Sequence, residues 1–340
     1  MLLCFLSLFK IESKVTETST LALISCVLIL VAAFRGEGFD RDYNNYKEIF
    51  LLWDESSTYL IEPGFIVIAN FARIFFSTPI LLFLLFALLG VSIKVYSINK
   101  LTDFVFISLL IYFCNIYILQ DLTQIRAGVA SGLMLISLVP LKSRKKTPFF
   151  IVAFLAIMFH YTAFVILPFW FFKVDKINKK IWFTIIPFSY LLLFLAISPL
   201  DLYKLIPIDS IQAKIRTYIL LQEADTENVV NVFSTLVFIR LLFISYILKK
   251  IDIIQEENKY AIIVIKIYII SIAVLVVMSK TTAIALRFNE FFSAVEIVAL
   301  PLILYAIEPG RRIYARVLLV VMSAILLFFH YRAATLLIFE

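Results

Sequence analysis

Residues 148–172 read PFFIVAFLAIMFHYTAFVILPFWFF, and they decide how the rest of the chain is threaded. A run of this length can cross a bilayer once, since about 20 apolar residues suffice. Yet Lys142, Arg144, Lys145 and Lys146 stand before it, and Lys173, Lys176, Lys179 and Lys180 follow it. Short basic loops stay on the cytoplasmic side. A run between two such loops must enter and leave on the same side. The flanking charges therefore predict a re-entrant pair of half-helices, bent near His160-Tyr161-Thr162.

The same logic extends outward. Of 340 residues, 63% are hydrophobic and 16% charged, with a mean hydropathy of +1.01. A soluble core of this length needs far less apolar surface, so the excess faces lipid. Apolar runs recur near residues 1–9, 20–34, 62–77, 79–97, 103–119, 126–140, 148–172, 181–198, 231–248, 260–278, 291–306 and 317–332. They are continuous rather than alternating, which selects helices over a barrel. The expected fold is an all-α integral membrane protein with about ten transmembrane helices, in a single polytopic domain over residues 1–340. Residues 1–9 lack a basic leader and read as a short first span rather than a secretory signal.

Two further basic loops, at Lys249-Lys250 and at Arg311, Arg312 and Arg316, also belong in the cytoplasm. Residues 35–62 carry seven acids against three bases, and 199–230 carry five against three, so both belong outside. With 35–62 outside and 142–146 inside, residues 62–77 and 79–97 cannot both cross. Residues 62–77 are expected as a partly inserted helix starting at Glu62-Pro63-Gly64, proline suiting a first helical turn. Irregular backbone at membrane depth needs protein or a watery cavity around it, so two re-entrant elements imply an extracytoplasmic-facing cavity. The net charge of +7 sits mainly in short loops, and no basic stripe with stacking aromatics marks a nucleic-acid partner. Cys4, Cys26 and Cys114 stand alone, and two histidines cannot make a histidine-rich metal site.

On this topology the notable polar residues gather on the outer face: Arg35, Asp40, Asp42, Glu62, Gln124, Arg126, His160, Lys214, Arg216 and Arg287. Ionisable groups at membrane depth are costly, and mark a substrate path or pair with one another. Bland roles compete at several positions. Snorkelling explains Arg35 and Arg287, solvation explains Asp40, Asp42 and Arg216, a helix-dipole contact explains Glu62, and a core hydrogen bond explains His160. Arg126 is harder to dismiss, because a helix N-terminus disfavours a cation unless an anion answers it. Several arginines on one face suit an anionic substrate, because guanidinium binds phosphate oxygens in bidentate fashion. A lipid pyrophosphate in the outer leaflet fits a site that must also open to lipid.

Four motifs in order carry a family resemblance. Arg35-Gly-Glu-Gly-Phe-Asp40-Arg-Asp42-Tyr43-Asn-Asn-Tyr46, Glu62-Pro-Gly-Phe65, Gln124-Ile-Arg126-Ala-Gly-Val-Ala130 and Phe159-His160-Tyr-Thr-Ala163 resemble the EpsG family, akin to Wzy-type O-antigen and exopolysaccharide polymerases. Arg287-Phe288 resembles a later, weaker feature of it. The resemblance implies a multi-pass protein of the bacterial cytoplasmic membrane, active on its extracytoplasmic face. It implies glycosyl transfer between oligosaccharide repeats carried on undecaprenyl pyrophosphate, to build O-antigen, capsule or exopolysaccharide, without cofactor, metal or nucleotide sugar. Chain-length regulator and flippase proteins are candidate partners.

Within that expectation Arg126 and Arg287, with Arg35 or Arg216, hold the leaving pyrophosphate, and Gln124, Tyr43 and Tyr46 support them. The general base is one of Asp40, Asp42, Glu62 and His160, histidine having the better ordinary pKa at roughly 6.5. The main rival is a flippase that binds the same anion and moves it, although no internal repeat of the transporter kind is visible. A surface-glycan acyltransferase would need a base with access to a cytoplasmic acyl donor, against which an outer His160 counts, and a purely structural subunit leaves the outer arginines unexplained.

Overall fold

The computed structural model of the chain describes residues 2–9, 11, 13–52, 61–195, 212, 216, 220 and 230–332. Among these the regular structure is helical and no strand forms. Four helices are long and apolar enough to cross a membrane: Lys14–Ala33, Ile80–Leu101, Val105–Thr123 and Ile125–Lys142. The pair Thr282–Ser293 and Glu296–Ala306, bent by 43°, makes a fifth if it is one span. The gap from the roughly ten transmembrane helices expected lies partly in short elements, such as Ala261–Val277 with 17 residues. Large apolar side chains point outward, among them Leu23, Val27, Leu30 and Val31 on one helix, as a lipid-facing surface requires. The chain falls into two compact units, Met1–Phe172 with Ile307–Glu340, and Lys173–Ala306.

In the first unit, α1 (Leu2–Leu8), α2 (Lys14–Ala33), α3 (Tyr43–Leu51), α4 (Pro63–Phe75), α5 (Ile80–Leu101), α6 (Val105–Ile111), α7 (Ile125–Lys142) and α8 (Lys146–Phe159) follow in order. A π-helical segment, Tyr112–Thr123, continues α6. Helix α7 packs between α5 and α8, and α2 packs on α5. Small residues permit this: Gly128, Ala130, Ser131 and Gly132 on α7 are buried. At 1.5 Å per residue α7 is roughly 27 Å long, so Arg126 near its start and Lys142 at its end lie about a hydrocarbon thickness apart.

Residues 146–172 go out and come back. Helix α8 ends at His160, whose backbone is extended (φ −156°, ψ 119°), and a 3₁₀ helix, Tyr161–Phe171, returns. The rings of Phe149 and Phe150 lie 5.5 and 5.7 Å from that of Trp170. Arg144, in a left-handed turn at φ 52°, donates through Nη1 to Trp170 O at 2.6 Å and through Nη2 to Phe172 O. Both ends of the hairpin therefore meet beside the basic turn, and His160 sits at its far tip.

Helix α4, with 13 residues, is roughly 20 Å long and too short to cross. Pro63 occupies its first turn, and its N-terminus abuts the hairpin tip because residue 64 lacks a side chain. A Cβ on Gly64 would stand 2.9 Å from Met158 O and 3.1 Å from a Phe159 ring carbon. Gly64→Ala is expected to cost about 1–3 kcal/mol and to pull Glu62 off His160. Thermal unfolding in detergent, read beside activity, checks both effects.

In the second unit, Lys179–Phe194, Thr235–Glu257 and Thr282–Ser293 pack around Ala261–Val277. Lys266, buried inside that apolar helix, donates to the carbonyls of Lys173 and Lys176 (2.7 Å to the latter) and lies over Trp182 at 5.3 Å. Arg240 pairs with Glu296 at 2.8 Å just beyond the break in the bent pair. The expected outer loop, 199–230, lies outside the described residues except at 212, 216, 220 and 230.

Candidate active site

Glu62 is the hub of the first unit's polar residues. Its carboxylate is 3% exposed and sits where the N-terminus of α4 meets the hairpin tip. Oε2 accepts from Arg126 Nη1, at the start of α7, and Oε1 lies 3.2 Å from His160 Nδ1. Three elements distant in sequence thus converge on one acid. Burial alone would raise its pKa, but the His160 hydrogen bond and the Arg126 charge outweigh it and hold the carboxyl down to about 2. An ionised carboxylate can only accept, so the imidazole proton sits on Nδ1. His160 Nε2 lies 3.2 Å from Thr162 Oγ1.

Arg126 keeps an exposed edge, with 23% of its side chain open against 3% for Glu62. Its guanidinium lies over Tyr46 at 5.6 Å and over Phe65 at 5.8 Å, and those two rings stack at 5.8 Å. Gln124 closes the π segment and opens α7: its N–H donates to Leu119 O at 2.9 Å, and its carbonyl accepts from Gly128 N at 2.9 Å.

Arg35 and Asp40 form a second pair. Arg35 Nε donates to Asp40 Oδ2 at 2.6 Å, Nη1 donates to Ala32 O at 2.7 Å, and the guanidinium stacks 4.1 Å from the Phe83 ring centroid. Both side chains are sealed, at 1% and 0% exposure. Burial raises the Asp40 carboxyl despite the Arg35 charge beside it. Asp40 Oδ1 also accepts from Asp42 N at 2.9 Å, which fixes the start of α3. Asp42 stands half-buried at the head of that helix, and its backbone carbonyl accepts from Tyr46 N at 3.0 Å. Helix α3 then presents Tyr43 to Phe83 (5.0 Å) and Tyr46 to Arg126. Where the spacing left Asp40 and Asp42 equivalent, the fold separates them: Asp40 lies in a buried ion pair, and Asp42 stands half-buried at the head of α3.

Arg216 and Arg287 belong to the second unit and are exposed, Arg287 within Thr282–Ser293. Lys214 lies outside the described residues. Among the described residues no three His, Cys, Asp or Glu side chains converge as a metal site.

The EpsG family model matches residues 20–339. The chain belongs to the EpsG family. That is a Wzy-like polymerase family, and its membership with the apolar helices makes this a multi-pass membrane protein of polysaccharide biosynthesis. No curated protein and no solved structure matches the chain.

This EpsG-family chain also holds polar groups that its motifs do not announce. Lys94, at 0% exposure in the middle of α5, pairs through Nζ with both oxygens of Asp121 at 2.9 Å. Tyr112 Oη donates to Asp121 Oδ2 at 2.9 Å. The available signal was a lysine inside the apolar run at 79–97 and an aspartate three residues before Gln124.

Proposed function

We propose that the chain joins lipid-pyrophosphate-linked oligosaccharide repeats at the outer face of the bacterial cytoplasmic membrane, as a glycosyltransferase of surface-polysaccharide synthesis. The convergence of Glu62, Arg126 and His160 at three helix ends supports this most. That cluster lies at the opposite end of α7 from Lys142 and the basic turn. Basic turns face the cytoplasm, so the cluster faces outward, where α4 and the 146–172 hairpin act as re-entrant elements around it.

In this mechanism His160 Nε2 takes the proton from an acceptor-sugar hydroxyl, displacing Thr162 from that nitrogen. The freed oxygen bonds to the anomeric carbon of the donor glycan. The bond from that carbon to the pyrophosphate oxygen breaks, and the electron pair leaves with the undecaprenyl pyrophosphate. Arg126 holds that leaving group through the donors Glu62 does not use. Glu62 orients the imidazole and balances its charge, a carboxylate–histidine arrangement used widely in catalysis. With a pKa near 2 it is a poor base itself. Arg35 and Asp40 act behind α3, setting Tyr43 and Tyr46.

Purified protein given lipid-linked repeats is expected to produce a ladder of longer glycans. Repeats that cross a vesicle bilayer unextended would mean that the protein moves its lipid rather than polymerising it.

A pH test follows from Glu62. Its carboxyl is lowered from 4.5 to about 2, so its contribution to stability is full above pH 4.5 and lost as pH falls towards 2. The shift corresponds to something on the order of 3 kcal/mol. The stability gap between wild type and Glu62→Gln in detergent should stay flat from pH 7 to 5 and close below that. A gap that is widest in acid would contradict an ionised, paired Glu62.

A further inference from the structure

We propose that the buried Lys94–Asp121 pair is a positioning element that fixes Arg126 against Glu62. The proposal rests on the catalytic reading of Arg126. Lys94 Nζ bonds not only both Asp121 oxygens but also the carbonyl of Gly128, two residues beyond Arg126. One ammonium group thus ties α5, the last turn of the π segment and the first turn of α7. Gln120 reinforces the joint by accepting from Ser131 Oγ, one turn along α7.

The surroundings are shaped for this contact. A Cβ on Gly90 would lie 2.3 Å from Asp121 Oδ1, and one on Gly128 would lie 2.8 Å from Gln120 O and 3.0 Å from Asp121 Oδ1. Gly132 faces Lys94 Cγ at 3.3 Å. A side chain at any of these three glycines would crowd Asp121 or Lys94. Taking a lysine and an aspartate out of water costs several kcal/mol per ion, and hydrophobic side chains of similar volume would hold these helices equally well. What an apolar joint lacks is direction. The Nζ–Asp121–Gly128 junction sets the rotation and height of the first turn of α7, and that turn carries Arg126. The π segment serves the same end: its wider turn brings Tyr112, Gln120 and Asp121 inward together.

The test uses the full-length protein in detergent or nanodiscs. Lys94→Met combined with Asp121→Asn removes both charges with little change of shape. The expected result is a folded protein whose kcat on lipid-linked repeats falls about tenfold to a hundredfold, as misplacement of a catalytic group by an ångström does, with KM little changed. In parallel, phenylglyoxal modification of Arg126, followed by peptide mass spectrometry, is expected to speed up several-fold as the residue leaves Glu62. The labelling readout does not depend on polymerisation. If wild type makes no polymer but the double variant labels faster, the functional reading fails and the positioning role stands. If the double variant folds and labels at the wild-type rate, the positioning role is overturned whatever the activity. Gly90→Ala, which drives a methyl group into Asp121 and keeps every charge, reads the same displacement should the double variant not be recovered.

Discussion

His160→Ala is expected to slow turnover of lipid-linked repeats by roughly 10²–10⁴-fold, the usual contribution of a general base, while the fold survives. The fold survives because Glu62 keeps its Arg126 partner. The turnover fails because the imidazole held by that carboxylate is the group proposed to take up the proton. His160→Gln should be nearly as slow, since an amide can fill the space and accept a hydrogen bond but cannot take up a proton at neutral pH. Initial rates on purified lipid-linked repeats, read as the disappearance of the single repeat, make the measurement. Full turnover in His160→Ala would move the base elsewhere. Asp40, whose carboxyl is raised by burial, would be the next to test.

Arg126→Ala should be worse on both counts. Glu62 would be left 3% exposed with the Arg126 charge gone, and an orphaned buried charge costs roughly 3 kcal/mol or more. Activity should fall below detection, because the leaving pyrophosphate loses its cation. Arg126→Lys separates the two effects. It keeps a positive charge near Glu62, and so most of the stability, but loses the planar fork and the stacking over Tyr46 and Phe65. Combining Arg126→Ala with Glu62→Gln should restore the melting temperature without restoring polymer. An Arg126→Ala protein that polymerises normally would end the leaving-group role.

The core of this site was legible because charge is scarce in an apolar chain. Glu62, Arg126 and His160 each interrupt or border a hydrophobic run, and the lysine-flanked run of 25 residues at 148–172 is the one in which the charges predict a bend at His160, where α8 ends. Parity is a global constraint that needs no register, so it reads directly from loops. Pairing does need register, and there the sequence runs out. Arg35 and Arg126 look alike as arginines near helix ends. Only packing shows that one is sealed between Asp40 and Phe83 while the other keeps an open edge. Lys94 and Asp121 stand 27 positions apart, and their meeting depends on a π segment that no proline or glycine announces. The break at residues 294–295 is equally silent, since Pro301 follows it by a turn and more.

That π segment gives Tyr112–Thr123 an unusual sensitivity to length. Dropping a single residue there would let the stretch relax into ordinary helix, and each position lost swings everything downstream by about 100°. Gln124 and Arg126 would then face away from α4 even though no side chain in the cluster had changed. Divergence among relatives in this stretch should therefore run through exchanges of one side chain for another, with insertions and deletions confined to the loops on either side of the membrane.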